Sequence, residues 1–244
     1  MKLWKKLKEL KEEVDFVDLS HPLSENTPHW AGFNPLEKIE IYNFKEHKFT
    51  ATEYKIVSQF GTHIDAPGHF AEGGRMLHEL EVENMFLPLV VMDFSKEADE
   101  DPDYVIEAKD ILTFEEEYGR IPSGTFVALR TDWSKRKENF DNIDEDGIPH
   151  YPGWSMEAVK LLIEERKVAA IGHETSDTDA SCISVEAGGL PVETYVLEQD
   201  IFQVELMANL DQMPTLGGVI VLGYPKVING PGFTVRCIGV KEKE

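Results

Sequence analysis

Between Ser58 and Phe70 the chain reads SQFGTHIDAPGHF, and the positions from His63 to His69 hold two imidazoles and a carboxylate. Any fold must give these groups partners, because burying unpaired polar groups is costly. If Thr52–Asp65 is extended, alternation puts Val57, Gln59, Gly61, His63 and Asp65 on one face and Ser58, Phe60, Thr62 and Ile64 on the other. Ala66-Pro67-Gly68 then turns the chain, since proline fixes φ and glycine accepts conformations other residues avoid. His69 can fold back towards His63 and Asp65. Imidazoles that merely cap turns would explain a single histidine, but they account less well for three converging groups.

The surrounding pattern is one of short strands. Ile39–Phe44, Thr52–Phe60, Leu89–Asp93, Phe126–Arg130, Val168–Gly172, Ile201–Leu206, Val219–Leu222 and Phe233–Val240 read as extended. Helical spacing appears at Glu107–Tyr118 and at Ser155–Arg166, where Ser155 is placed as an N-cap. The expected fold is α/β, one domain on a mixed or antiparallel sheet, and no repeat or Gly/Ser linker divides it. Residues 1–14 carry Leu3, Trp4, Leu7, Leu10 and Val14 at helical spacing. They predict an amphipathic helix on the body or on a second subunit, ahead of a domain spanning 15–244.

Charge and cysteines narrow the partners. A net charge of −22 repels phosphate backbones and anionic membrane surfaces, which argues against nucleic acid and membranes and leaves a small molecule as the expected ligand. Cys182 and Cys237 are too few and too distant to read as a disulfide framework, so a reducing, cytoplasmic setting is expected, with both as small buried hydrophobes. Acidic stretches at Glu97–Asp103 and Asp141–Asp146 read as solvated loops. The second offers Asn142, Asp144, Asp146 and Gly147 at calcium-loop spacing, but Gly153 stands where the closing glutamate is required.

Two further segments carry candidate groups. Ile201–Leu206 alternates Phe202, Val204 and Leu206 with Gln203 and Glu205, and a glutamate on a buried strand needs a cationic partner; on an edge strand it would simply face water. Gly172–Ala180 follows a strand with His173, Glu174, Asp177 and Asp179, a common location for a site and equally for a solvated turn. His173 is a candidate to line a pocket and read a polar substrate group.

Gly61-Thr62-His63-Ile64-Asp65-Ala66-Pro67-Gly68-His69 resembles the signature of the cyclase family of metal-dependent hydrolases, which includes bacterial kynurenine formamidase and isatin hydrolase. Asp18–Leu23 and Thr27–Trp30 resemble the family's opening strand and tryptophan segment, and Leu190–Asp211 resembles the segment with the late metal ligands. The resemblance implies a swivelling β/β/α fold, a homo-oligomer (dimer or tetramer), and hydrolysis of an amide, of formamide or cyclic type, by metal-activated water. A lactone or ester hydrolase, or a silent metal- or ligand-binding relative, is the alternative. It also implies His63 and Asp65 as metal ligands, Asp65 bridging where two ions bind, His69 as the proton donor and acceptor, Trp30 beside the substrate and Glu205 as the late ligand. Gln59 and Glu193 stand where the family has histidines. Oxygen-bearing groups there imply a harder divalent ion, manganese as well as zinc.

Overall fold

The computed structural model describes residues 1–243. In chain order its strands are β1 (Val14–Asp18), β2 (Glu37–Tyr42), β3 (Ala51–Lys55), β4 (His63–Asp65), β5 (Phe86–Asp93), β6 (Val105–Ile106), β7 (Phe126–Arg130), β8 (Gly153–Trp154), β9 (Ala170–His173), β10 (Phe202–Glu205), β11 (Gly218–Gly223), β12 (Gly232–Thr234) and β13 (Arg236–Glu242). The helices are α1 (Lys2–Glu13), α2 (Phe44–His47), α3 (Ser95–Glu100), α4 (Ala108–Tyr118), α5 (Met156–Lys160), α6 (Ser181–Ala187) and α7 (Pro191–Glu198).

Nine strands form one mixed sheet in the order β1-β13-β11-β5-β7-β9-β10-β4-β12. Its centre, β5-β7-β9-β10, is parallel, and the flanks on both sides are antiparallel. Alternating side chains of the central strands supply two cores. Leu89, Val91, Phe126, Ala128 and Ala170 join Ile64 and Val204 in one. Val90, Met92, Val127, Leu129 and Ile171 meet Ile111 and Phe114 of α4, Val159 of α5 and Val196 of α7 in the other. Burial on both faces explains why these strands are continuously apolar rather than alternating.

Several sequence expectations need correction. Thr52–Phe60 is not one strand: β3 ends at Lys55, and the chain is irregular until β4. β3 stops where its pairing with β2 runs out, at Lys55 opposite Glu37, and further on Gly61, with a left-handed φ of +69°, keeps the chain irregular just before β4. Phe233–Val240 divides into β12 and β13, and the helix expected at Ser155–Arg166 passes from α5 into a π-helical turn at Leu161–Arg166. Ser155 does cap it, its hydroxyl accepting the Ala158 N–H at 3.1 Å. Part of the acidic stretch Glu97–Asp103 is helical in α3, and Val14 begins β1 rather than ending the helix. Cys182 is exposed and only Cys237 is buried.

Candidate active site

The site grows from the β10–β4 junction. Antiparallel register sets Glu205 opposite His63 and Gln203 opposite Asp65, so four polar side chains form two directly facing pairs. Their strand neighbours Val204 and Ile64 also face each other and belong to the apolar core. His63 Nε2 lies 3.3 Å from Asp65 Oδ2 and 3.3 Å from Glu205 Oε2. The other ring nitrogen, Nδ1, is 2.8 Å from the carbonyl of Gly61, a bond that fixes it as the donor and turns Nε2 to the carboxylates.

Buried polar groups behind the junction hold it in place. The Thr178 hydroxyl donates to Gln203 Oε1 at 2.6 Å, which directs the Gln203 amide to Glu205 Oε1 at 2.9 Å and towards Asp65 Oδ2 at 3.5 Å. His173 is fully buried at the end of β9, with Nε2 3.2 Å from the Thr178 hydroxyl and 3.6 Å from Glu205 Oε1. The expectation that His173 lines the pocket is therefore corrected: a strand residue at the sheet centre, it lies behind Glu205 and supports it. Burial lowers its pKa to about 4, so the ring is neutral.

A cavity of about 460 Å³ opens over the junction, lined among others by Gln59, His63, His69, Glu193 and Glu205. Trp30 and Phe33 meet edge to face on its rim, and Trp30 remains 52 % exposed. His69 sits in the turn after β4, its Nε2 3.9 Å from Asp65 Oδ1 and its Nδ1 3.4 Å from the Gln59 amide nitrogen. Gln59 reaches the cavity from the irregular segment rather than by strand alternation. Its amide oxygen takes the Ser58 hydroxyl, so its amide is engaged with Ser58 and His69.

Glu193 arrives by a different element, α7, which the sequence reading did not identify as a helix. Pro191 opens that helix, and the Asp179 carboxylate accepts the N–H groups of Val192 and Glu193, each at 2.9 Å. This places Glu193 in the first turn, facing the cavity but outside the group of convergent ligand atoms.

Electrostatics bind the cluster together. Burial alone would make His63 less basic, yet Asp65 and Glu205 outweigh it and hold its pKa well above the usual value. Burial would raise Asp65, but the two histidines keep it low. Burial pushes Glu205 and Glu193 well up, with neighbouring carboxylates adding to the push. Crowded buried carboxylates of this kind are what a cation relieves.

The donor set fits a divalent ion on two observations. Ligand atoms of His63, Asp65 and Glu205 all lie within 4.8 Å of one another. Asp65 Oδ1 is buried without a hydrogen-bond partner among the described residues. Room for it depends on Gly232, opposite Asp65 on β12, where an added Cβ would stand 2.6 Å from the Ile64 carbonyl and 2.8 Å from Asp65 Oδ1. Sequence reasoning had Asp177 only as part of the candidate segment Gly172–Ala180 and assigned no role to Gln203 or Tyr151. Gln203 was signalled by its position two residues before Glu205 on the same strand face, whereas nothing local marks Tyr151, which donates its hydroxyl hydrogen to Asp177 at the cavity wall.

Comparison with known proteins identifies the family. The chain is 32 % identical to the isatin hydrolase of Roseibium aggregatum over 96 % of this chain and 94 % of that protein. It is 32 % identical to the kynurenine formamidase of Bacillus cereus over 68 % of this chain and 70 % of that protein. Isatin hydrolase A from Labrenzia aggregata, solved with benzyl benzoate bound, superposes with a TM-score of 0.91 over 100 % of both chains at 31 % identity. The family model described as "Putative cyclase" matches residues 17–180. With its signature histidines and aspartate gathered at the β10–β4 junction, the chain belongs to the cyclase family.

Proposed function

We propose that the protein is a metal-dependent hydrolase that cleaves an amide C–N bond, with cyclic amides of the isatin type as its substrate class. The observation that carries this is the convergence of His63, Asp65 and Glu205, with His63, Glu205 and His69 lining one cavity. Hydrolysis of isatin and of a formamide, named for the relatives, shares one event: water adds to an amide carbonyl and the nitrogen leaves.

His63, Asp65 and Glu205 would hold the ion, zinc or manganese. A divalent ion there supplies Lewis acidity and brings a bound water's pKa down to about 7. Gln203 and His173 keep Glu205 aimed, and the Gly61 carbonyl keeps His63 in the tautomer whose Nε2 is free to bind. The Gln59 amide nitrogen can only donate, so His69 Nδ1 accepts and Nε2 carries the ring hydrogen, placed to give a proton to the departing nitrogen; for Nε2 to take one from the attacking water, the Gln59 amide turns its oxygen to Nδ1. Trp30, Phe33 and Phe70 give the cavity an apolar, aromatic side suited to a flat ring.

The same reading includes self-association as a dimer or tetramer in the cytoplasm. α1 buries none of its residues, leaving Trp4 76 % exposed, and the β2–β3 hairpin exposes Ile39, Ile41 and Tyr54. A lone two-stranded hairpin is marginal in water, so this surface calls for a partner. Light scattering that finds only monomer at micromolar concentration contradicts this part.

The activity is tested by metal analysis of purified protein, followed by assay of zinc- and manganese-loaded samples on isatin, N-formylkynurenine and an aryl lactone. Turnover of an amide is expected. No turnover of any of the three, with metal bound, refutes the enzyme and leaves a binding relative.

A further inference from the structure

Away from the His63–Asp65–Glu205 cluster, the cavity wall is built from Tyr151, Ser176, Asp177, Ser184 and Glu193. Every hydroxyl hydrogen on this wall is already committed. Tyr151 donates to Asp177 Oδ2, Ser176 to Asp141, and Ser184 to the Ser181 carbonyl at 2.9 Å. The acceptors are not. Asp177 Oδ1 and both carboxyl oxygens of Glu193 have no hydrogen-bond or ion-pair partner among the described residues, although Glu193 is only 2 % exposed. These acceptors face the cavity, where water can meet them, and a ligand that displaces the water without offering a donor leaves them unpaired. Glu193 offers at least one acceptor oxygen whether or not its carboxyl is ionised.

We propose that Asp177 and Glu193 form a hydrogen-bond-accepting wall that selects substrates by a free N–H, so that the enzyme takes secondary lactams and rejects N-alkylated lactams and lactones. The proposal rests on the amide-hydrolase reading and narrows its substrate class. A secondary lactam keeps a nitrogen-bound hydrogen beside the carbonyl that must sit at the cluster, and ring opening turns that nitrogen into an amine with more donors. A lactone or an N-methyl lactam puts an atom without hydrogen in the same place and leaves the acceptors unpaired. Tyr151 fixes the direction of Asp177, and with its own hydrogen spent it cannot serve a carbonyl or ring oxygen in the substrate's place. A pocket built to pair a substrate N–H discriminates against its absence more strongly than an apolar pocket discriminates by size.

The test separates binding from turnover. The full-length, manganese-loaded protein is titrated calorimetrically with indolin-2-one and with its N-methyl derivative, neither of which carries the reactive 3-keto group. A preference of about tenfold to a hundredfold for the N–H compound is expected, the range for one hydrogen bond to a charged group. It should fall below about threefold in Asp177→Asn or Glu193→Gln, with metal content unchanged in both. Equal binding of the two compounds, or binding of neither, by the wild-type protein overturns the proposal. So does loss of metal from both variants, which would make the two carboxyls servants of the ion. Turnover of isatin in the same preparation decides the hydrolase reading separately: turnover with equal affinities leaves the enzyme standing and removes the wall.

Discussion

β2 and β10 carry nearly the same pattern and meet opposite fates. β2 reads EKIEIY and β10 reads FQVE, each alternating apolar with polar residues. Every residue of β2 is exposed, whereas every residue of β10 is buried. Alternation decides which side chains share a face, but the cover on that face comes from elsewhere. For β10 the cover is β4 and β9, the α7 turn and the cavity, and the polar face becomes a site. Among the described residues, β2 pairs only with β3.

The contrast can be broken most severely at Asp65. Asp65→Ala should lose the ion and reduce hydrolysis to background, as read by metal analysis beside an activity assay; retained metal would remove Asp65 from the ligand set. His69→Ala should keep the metal and lower kcat by about 10²–10⁴, the usual worth of a positioned acid and base. Metal loss in that variant would reverse the two roles.

Stability sharpens the same comparison. Ile64→Ala, fully buried opposite Val204, should cost about 2–5 kcal/mol in denaturant titration. Ile41→Ser on β2, measured at a dilution where the chain is monomeric, should cost within about 0.5 kcal/mol. Equal costs would mean that the hairpin is covered after all.

The smallest effect concerns His150, on the loop that carries Pro149 and Tyr151 to the cavity. Its Nδ1 lies 2.7 Å from Asp103 and its Nε2 3.3 Å from Asp144, so both nitrogens face carboxylates and the ring is favoured charged. Those hydrogen bonds raise its pKa above 6.5. A histidine whose pKa is higher folded than unfolded stabilises fully below the unfolded value and loses that contribution as pH rises through the folded one. Thermal midpoints of the wild type should therefore slip relative to His150→Gln as pH climbs above 6.5. Parallel pH profiles would exclude the bridge.

Much of this was legible in the residues. The central strands stood out because continuous apolar runs leave few alternatives, and Phe126–Arg130 was bounded to the residue. His63, Asp65 and His69 were legible because three ligand-type groups and a turn fall within seven positions. Thr52–Phe60 misled because β propensity is local, while the strand's length is set by its partner β2, which runs out at Glu37 opposite Lys55. α7 was overlooked because its first turn is completed by Asp179, twelve residues before Pro191 in the sequence and invisible to any local rule. Glu205 read equally well as a surface residue, since only the tertiary fold decides whether a polar face meets water or a cavity.

Gly232 has no functional group, yet Asp65 has its room only because no Cβ stands there. A descendant could keep every ligand and both histidines of the signature and still lose the reaction through one added methyl. Inheritance of the activity thus runs partly through a residue that no inventory of reactive side chains would include. Among diverged copies of this chain, a glycine at 232 is a sharper mark of a working enzyme than another carboxylate near the site.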